Sequence, residues 1–197
     1  MTLTRPKISA VILAGGQGQR MGGSDKGLLV VKGKPLVAWL IERIQPQVDE
    51  IFISANRHHD QYAGFGYPIL RDTLTGFAGP LAGLSTALRA ATHSLILCVP
   101  CDTPLLPANL AERLYAGLII GNRPIAVAQT GSQIHHTTML CRRELAAHLE
   151  NFLASGDRKV AHWQAQLQAS VVDFYETDAF TNINTPTEMD LLEQKLS

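Results

Sequence analysis

A chain of 197 residues, 46% hydrophobic and 17% charged, has the length and apolar content to bury a substantial core. Its 17 Lys and Arg balance its 17 Asp and Glu, and zero net charge argues against a nucleic-acid surface, which carries a basic excess. No apolar stretch reaches the roughly 20 residues that a membrane helix requires, and the polar start from Met1 to Lys7 holds no secretory core. No nucleic-acid or membrane partner is therefore expected, and the expected location is cytoplasmic.

The elements alternate along the chain. Ile8 to Ala14 is an unbroken apolar run, the pattern of a strand buried on both faces. Pro35 suits the first turn of a helix through about Gln45, with Leu36, Trp39, Leu40 and Ile44 on one face. Strands are predicted at Ile51 to Ser54, Ile69 to Arg71 and Leu95 to Val99, and the Leu- and Ala-rich run Leu81 to Ala91 reads as a helix. Pro107 opens another helix, through about Leu118. Short strands follow at Ile125 to Gln129 and Thr138 to Cys141, then a helix over Glu144 to Leu153, a strand at Val171 to Phe174 and a last helix from about Thr187 to Leu196. Alternation on this scale predicts a three-layer α/β/α, Rossmann-like fold with a mainly parallel central sheet. No linker, repeat or low-complexity tract divides the chain, so residues 1–197 are expected to form a single domain.

Ligands of such sheets bind beyond the carboxyl ends of the strands, so the residues that follow each strand matter most. After the first come Gly15, Gly16 and Gly18, then Arg20, Met21 and, a few positions on, Lys26. Glycines let backbone N–H groups curl around an anion, and Arg20 and Lys26 supply the charge that a triphosphate needs. The spacing is not a P-loop: the one Gly-Lys pair, Gly33-Lys34, is followed by Pro35. Nor is it a dinucleotide fingerprint, because Met21 stands where the third Gly belongs. After the second strand come Ser54, Asn56, Arg57 and His58; after the third, Asp72 and then Gly79-Pro80-Leu81-Ala82-Gly83; after the fourth, Cys101-Asp102-Thr103-Pro104; near the end, Asn182-Ile183-Asn184-Thr185-Pro186.

Several of these residues have two readings. Asp102, just past a buried strand, suits Mg²⁺ bridging phosphate oxygens, or else an Asx turn before Thr103-Pro104. Asp72 can contact ribose or base, or merely turn the chain. Asn182 and Asn184 can complete a metal or substrate shell, yet Asn184-Thr185-Pro186 also reads as a helix cap. Cys98 and Cys101 form a Cys-x-x-Cys, but a strand running through Cys98 would point the two side chains to opposite faces, and buried free thiols are the plainer reading. Of the seven histidines, His58, His135 and His136 fall in candidate loops.

The run Leu13-Ala14-Gly15-Gly16 with Arg20-Met21 and Lys26 resembles the nucleotidyltransferase signature. Taken with Asp25-Lys26-Gly27-Leu28, Asn56-Arg57-His58, Gly79-Pro80-Leu81-Ala82-Gly83, Cys101-Asp102-Thr103-Pro104 and Asn182-Ile183-Asn184-Thr185-Pro186, it resembles the molybdenum cofactor guanylyltransferases over residues 11 to 186. That resemblance implies transfer of GMP from GTP to the terminal phosphate of molybdopterin, with release of pyrophosphate. It implies GTP contacts at Leu13, Ala14, Gly15, Gly16, Lys26, Ser54, Asn56, Asp72, Gly79 and Asp102, and Mg²⁺ at Asp102. Arg20, Lys26 and Asp102 are the expected catalytic residues. Arg158 and Lys159, with Asn182 and Asn184, are the expected molybdopterin side, although Gly156 to Val160 also reads as a solvated loop. The chain departs from the family pattern at Ser54, where Asn is usual, and at His136, where Pro is usual. Proteins of molybdopterin synthesis and target molybdoenzymes are the partners that the resemblance suggests. The alternatives are a CTP-dependent cytidylyltransferase acting on the same pterin and a non-catalytic protein that binds and delivers the cofactor.

Overall fold

The structure, a computed structural model, describes residues 5–14, 25–72 and 79–196. Its first elements are β1 (Ile8–Leu13), the two-residue strands β2 (Val30–Val31) and β3 (Lys34–Pro35), α1 (Leu36–Ile44), β4 (Glu50–Ser54) and α2 (His59–Ala63). Then come β5 (Ile69–Leu70), α3 (Pro80–Ala90), β6 (Leu95–Pro100), α4 (Leu110–Ile120), β7 (Ile125–Thr130) and β8 (Gln133–Arg142). α5 (Ala146–Ala154), α6 (Val160–Gln166), β9 (Ser170–Phe174) and α7 (Pro186–Lys195) complete the series.

Seven strands form one sheet in the order β5-β4-β1-β6-β8-β7-β9, in which β8 alone runs antiparallel to its neighbours. The unbroken apolar run of β1 has its expected cause. Ile8, Ala10 and Ile12 enter the core beneath α1 and α4, while Val11 enters the opposite core beneath α3, α5 and α6. The fold is thus three-layer α/β/α with a mostly parallel sheet. A smaller cluster of Val31, Leu36, Ile183 and Leu192 clamps α7 and the segment before it onto the β2–β3 hairpin.

Several boundaries differ from the sequence reading. Pro35 lies in β3 and α1 starts one residue later; α4 starts at Leu110, after a turn in which the Pro107 carbonyl accepts the Leu110 N–H at 3.2 Å. β8 is far longer than Thr138 to Cys141. It pairs with β6 only as far as Met139 opposite Cys98, then bulges, because Val127 faces Met139 while Ala128 faces His135. The β2–β3 hairpin, α2 and α6 have no counterpart in the sequence reading.

Cys98 and Cys101 do lie in opposite cores. Both are buried free thiols, as is Cys141. Burial pushes the Cys98 and Cys101 thiols far up, and the Cys141 thiol up to about 12. Among the described residues no group of His, Cys, Asp and Glu is arranged as a multidentate metal centre. The cysteines are small core hydrophobes.

Candidate active site

The carboxyl ends of the central strands are stitched together by backbone. The Ala14 N–H donates to the Ser54 carbonyl at 2.8 Å, and the Cys101 N–H donates to the Leu13 carbonyl at 3.1 Å. One residue further, the Asp102 carbonyl accepts the Ile183 N–H at 2.9 Å, which lays Asn182 to Asn184 beside the end of β6. Lys26 opens a 3-10 turn (Lys26–Leu28), and its Nζ donates to Asp102 Oδ2 at 3.2 Å and to Asn184 Oδ1. Residues 76 and 158 positions away in sequence thereby converge on one ammonium.

Asp102 is buried, and its Oδ1 has no hydrogen-bond partner among the described residues. A buried carboxylate oxygen without a donor is costly, so such an atom marks a place where a ligand completes the bonding. The only other carboxylate oxygen in this condition among the described residues is Oδ1 of Asp72. Asn56 holds that second carboxylate with both ends of its amide: Nδ2 donates to Asp72 Oδ2 at 2.7 Å, and Oδ1 accepts the Asp72 N–H at 3.0 Å. Asn56 therefore aims Asp72.

Ser54 is buried at the end of β4. A Cβ on Gly83 would stand 2.4 Å from Ser54 Oγ and 2.9 Å from Leu13 Cδ2, so glycine is what lets α3 come this close to the strand ends. Gly79 precedes that helix with a φ of +69°. Gly15, Gly16 and Arg20 lie outside the described residues.

Arg158 and Lys159 sit in the α5–α6 turn. Their polar contacts are local: the Arg158 guanidinium donates to the Leu153 carbonyl at 2.5 Å, and the Lys159 N–H donates to Asp157 Oδ1 at 2.9 Å. Asn182 is exposed, and Asn184 alone of the acceptor-side set touches the Lys26–Asp102 pair. His136 lies in the β8 bulge, its Nδ1 2.6 Å from Gln164 Oε1, while Gln164 Nε2 donates back to the His136 carbonyl at 2.9 Å. An amide oxygen only accepts, so His136 Nδ1 carries the proton. His135 is 2.7 Å from Thr130 Oγ1 and stacks on Phe180, and its burial holds it below its ordinary value. No role was read from the sequence for Gln164, Asp25 or Tyr62, although Asp25 stands in the motif Asp25-Lys26-Gly27-Leu28. Only Asp25 carried a signal, its place directly before Lys26.

Carboxylates, an ammonium and amides gathered past the ends of a mostly parallel sheet stand where such folds take nucleotides, and the class that fold and site suit is nucleotidyltransferase. Residues 10–171 match the MobA-like NTP transferase domain. The chain is 42% identical over 193 residues to the molybdenum cofactor guanylyltransferase of Shewanella loihica, covering 98% of each. To that of Shewanella amazonensis it is 44% identical over 192 residues, covering 97% of this chain and 98% of the relative. The chain belongs to the MobA-like NTP transferases and, within them, to the molybdenum cofactor guanylyltransferase family. Its fold is that of the molybdopterin-guanine dinucleotide biosynthesis protein A from Archaeoglobus fulgidus (TM-score 0.78, 22% identity, 95% of this chain and 98% of that one). The 2-C-methyl-D-erythritol 4-phosphate cytidylyltransferase of Thermus thermophilus shares it too (TM-score 0.71, 17% identity, 94% and 97% covered).

Proposed function

We propose that this chain transfers GMP from GTP to the terminal phosphate of molybdopterin, releasing pyrophosphate. The observation that carries the reading is the convergence of Lys26, Asp102 and Asn184 on one point, with Asp102 Oδ1 left without a partner among the described residues. That the relatives are named guanylyltransferases supports guanine over the other bases.

The reaction needs no protein nucleophile. An oxygen of the acceptor phosphate, already anionic at neutral pH, attacks the α-phosphorus; the bond from that phosphorus to the bridging oxygen breaks, and pyrophosphate leaves with the electron pair. What the protein must supply is alignment and neutralisation of charge. Lys26, released from Asp102 and Asn184 by a stronger anion, would hold the triphosphate. Arg20, in the glycine-rich segment of the sequence, would grip oxygens whose charge grows as pyrophosphate departs. Asp72, aimed by Asn56, would contact the nucleoside. Asp102 and Asn184 offer oxygen donors that fit Mg²⁺, which keeps several waters and needs only one or two protein oxygens beside the phosphates. Bound there, the ion would neutralise phosphate charge. Arg158 and Lys159 would face the anionic pterin from the α5–α6 turn. Among the described residues no helix is long and apolar enough to cross a membrane; the location we propose is cytoplasmic.

The deciding experiment incubates the protein with molybdopterin, Mg²⁺ and each common nucleoside triphosphate in turn, and follows pyrophosphate release. GTP should support the fastest turnover. Faster release with CTP would replace the guanylyl reading by the cytidylyl one, and binding of GTP with no release under any condition would favour a delivery protein.

A further inference from the structure

The backbone that presents Lys26 is fixed from behind by a buried pair that the reaction does not use. Asp25 caps the Lys26–Leu28 turn, its Oδ1 accepting the Gly27 N–H at 3.2 Å. The same oxygen accepts the Tyr62 hydroxyl at 2.5 Å. Tyr62 is fully buried on α2, in the core that also holds Ala14, Ala55 and Cys101. Burial first, then the neighbouring Cys101 and Asp25, push its phenol far above the ordinary range, so it stays an O–H donor. The fit has no slack: a Cβ on Gly27 would stand 2.5 Å from the Tyr62 hydroxyl and 3.4 Å from Cys101 Cβ. A phenol donating to a buried carboxylate makes a charge-assisted bond, stronger than one between neutral groups. Position 62 lies 37 residues from Asp25 in sequence, on the helix that follows Asn56 to His58. That helix thus joins the segment that aims Asp72 to the segment that carries Lys26.

We propose that Tyr62 and Asp25 are positioning residues for nucleotide binding: the Tyr62 hydroxyl, acting through the Asp25 carboxylate and the turn that it caps, sets where Lys26 Nζ stands and so sets the affinity for the triphosphate. The inference rests on Lys26 being a triphosphate ligand, and its test separates the two ideas. GTP dissociation constants are measured by calorimetry, with melting temperatures, for the wild type, Tyr62→Phe, Lys26→Ala and the double variant. Removing the one hydroxyl should weaken GTP by about fivefold or more. In the Lys26→Ala background the same change should have little further effect, because the group through which it acts is gone. The KM for GTP should rise more than kcat falls. Asp25→Asn, which keeps an oxygen acceptor for the phenol and the Gly27 N–H, should retain more GTP affinity than Asp25→Ala, and this comparison decides the matter if Tyr62→Phe folds poorly. A Tyr62→Phe protein that melts earlier but binds GTP as the wild type does overturns the proposal and leaves the function standing. Equal weakening in both backgrounds also overturns it, since Tyr62 would then act by another route. If Lys26→Ala itself leaves GTP binding untouched, the functional reading fails.

Discussion

The two oxygens of Asp102 have different fates. Oδ2 takes the Lys26 ammonium at 3.2 Å, while Oδ1, equally inside the protein, takes nothing among the described residues. An Asx-turn residue would spend its side chain on a nearby backbone N–H; this one spends its carbonyl on Ile183 and its carboxylate on a lysine 76 residues away. The Asx-turn reading therefore does not fit the geometry, and the metal and phosphate reading is the one we propose. Asp102→Asn keeps the shape and removes the charge, and transfer should fall on the order of a hundredfold or more, with the melting temperature little changed. A variant that melts early but turns over normally would make Asp102 a structural residue after all. Its cationic counterparts should divide the labour. Lys26→Ala should mainly raise the GTP dissociation constant, and Arg20→Ala should mainly lower the single-turnover rate; wild-type behaviour in both would mean that neither cation meets the triphosphate.

Among the elements, α7 shows how a distant segment is delivered to the site. Thr185 Oγ1 accepts the Glu188 N–H at 3.2 Å, and Glu188 Oε2 accepts the N–H of Thr185 at 2.8 Å and of Asn184 at 2.6 Å. The capping box thus fixes the backbone of Asn184, whose side chain meets Lys26. Asn182-Ile183-Asn184-Thr185-Pro186 was read two ways from sequence, as a cap and as a metal or substrate shell; the structure shows the cap and sets the Asn184 side chain against Lys26, and the shell remains our proposal. Thr185→Ala should cost about 1 kcal/mol of stability. The Asn184 backbone N–H, with the Thr185 side chain and backbone, holds the Glu188 carboxyl below its ordinary 4.5. Its stabilising share is therefore complete at neutral pH and is lost as pH falls through that lowered value. The melting-temperature gap between wild type and Glu188→Gln should accordingly shrink below about pH 4.5; a gap constant down to strong acid would show that the charge of Glu188 is irrelevant to the cap. What the sequence disclosed about elements followed from burial. The runs of β1, β4 and β6 are apolar because both faces are covered, and they were legible. The upper half of β8, around His135 and His136, was not, because it runs beyond β6 with polar side chains and a bulge. Neither was α6, whose short run Val160–Gln166 buries only Trp163 and Gln164. At the site, side chains in motifs could be named one by one; that Asn56 aims Asp72, or that Tyr62 props Asp25, depends on contacts across 16 and 37 residues that no local pattern records.

At the scale of the molecule, the cysteines report on both sides of the sheet. Cys98 and Cys141 lie in the core beneath α3 and α5, and Cys101 lies in the core beneath α1 and α4. Between these cores runs one continuous seven-stranded sheet whose central strands contribute to both, so opening one face strips support from the other. We therefore propose that the chain unfolds as a single cooperative unit, the one domain that its sequence suggests. Thiolate is the reactive form, and burial holds all three thiols far from it in the native state. The native protein should react with a thiol reagent only through opening, while the unfolded chain should expose its three thiols at once. Single-cysteine variants, each keeping one of the three, would measure this directly under mildly destabilising denaturant. Equal opening free energies at Cys98, Cys101 and Cys141 are expected. Markedly easier labelling of Cys101 would mean that the face carrying Lys26 and Tyr62 opens by itself, and GTP, which in our proposal binds the folded face and not the opened one, should then suppress that opening.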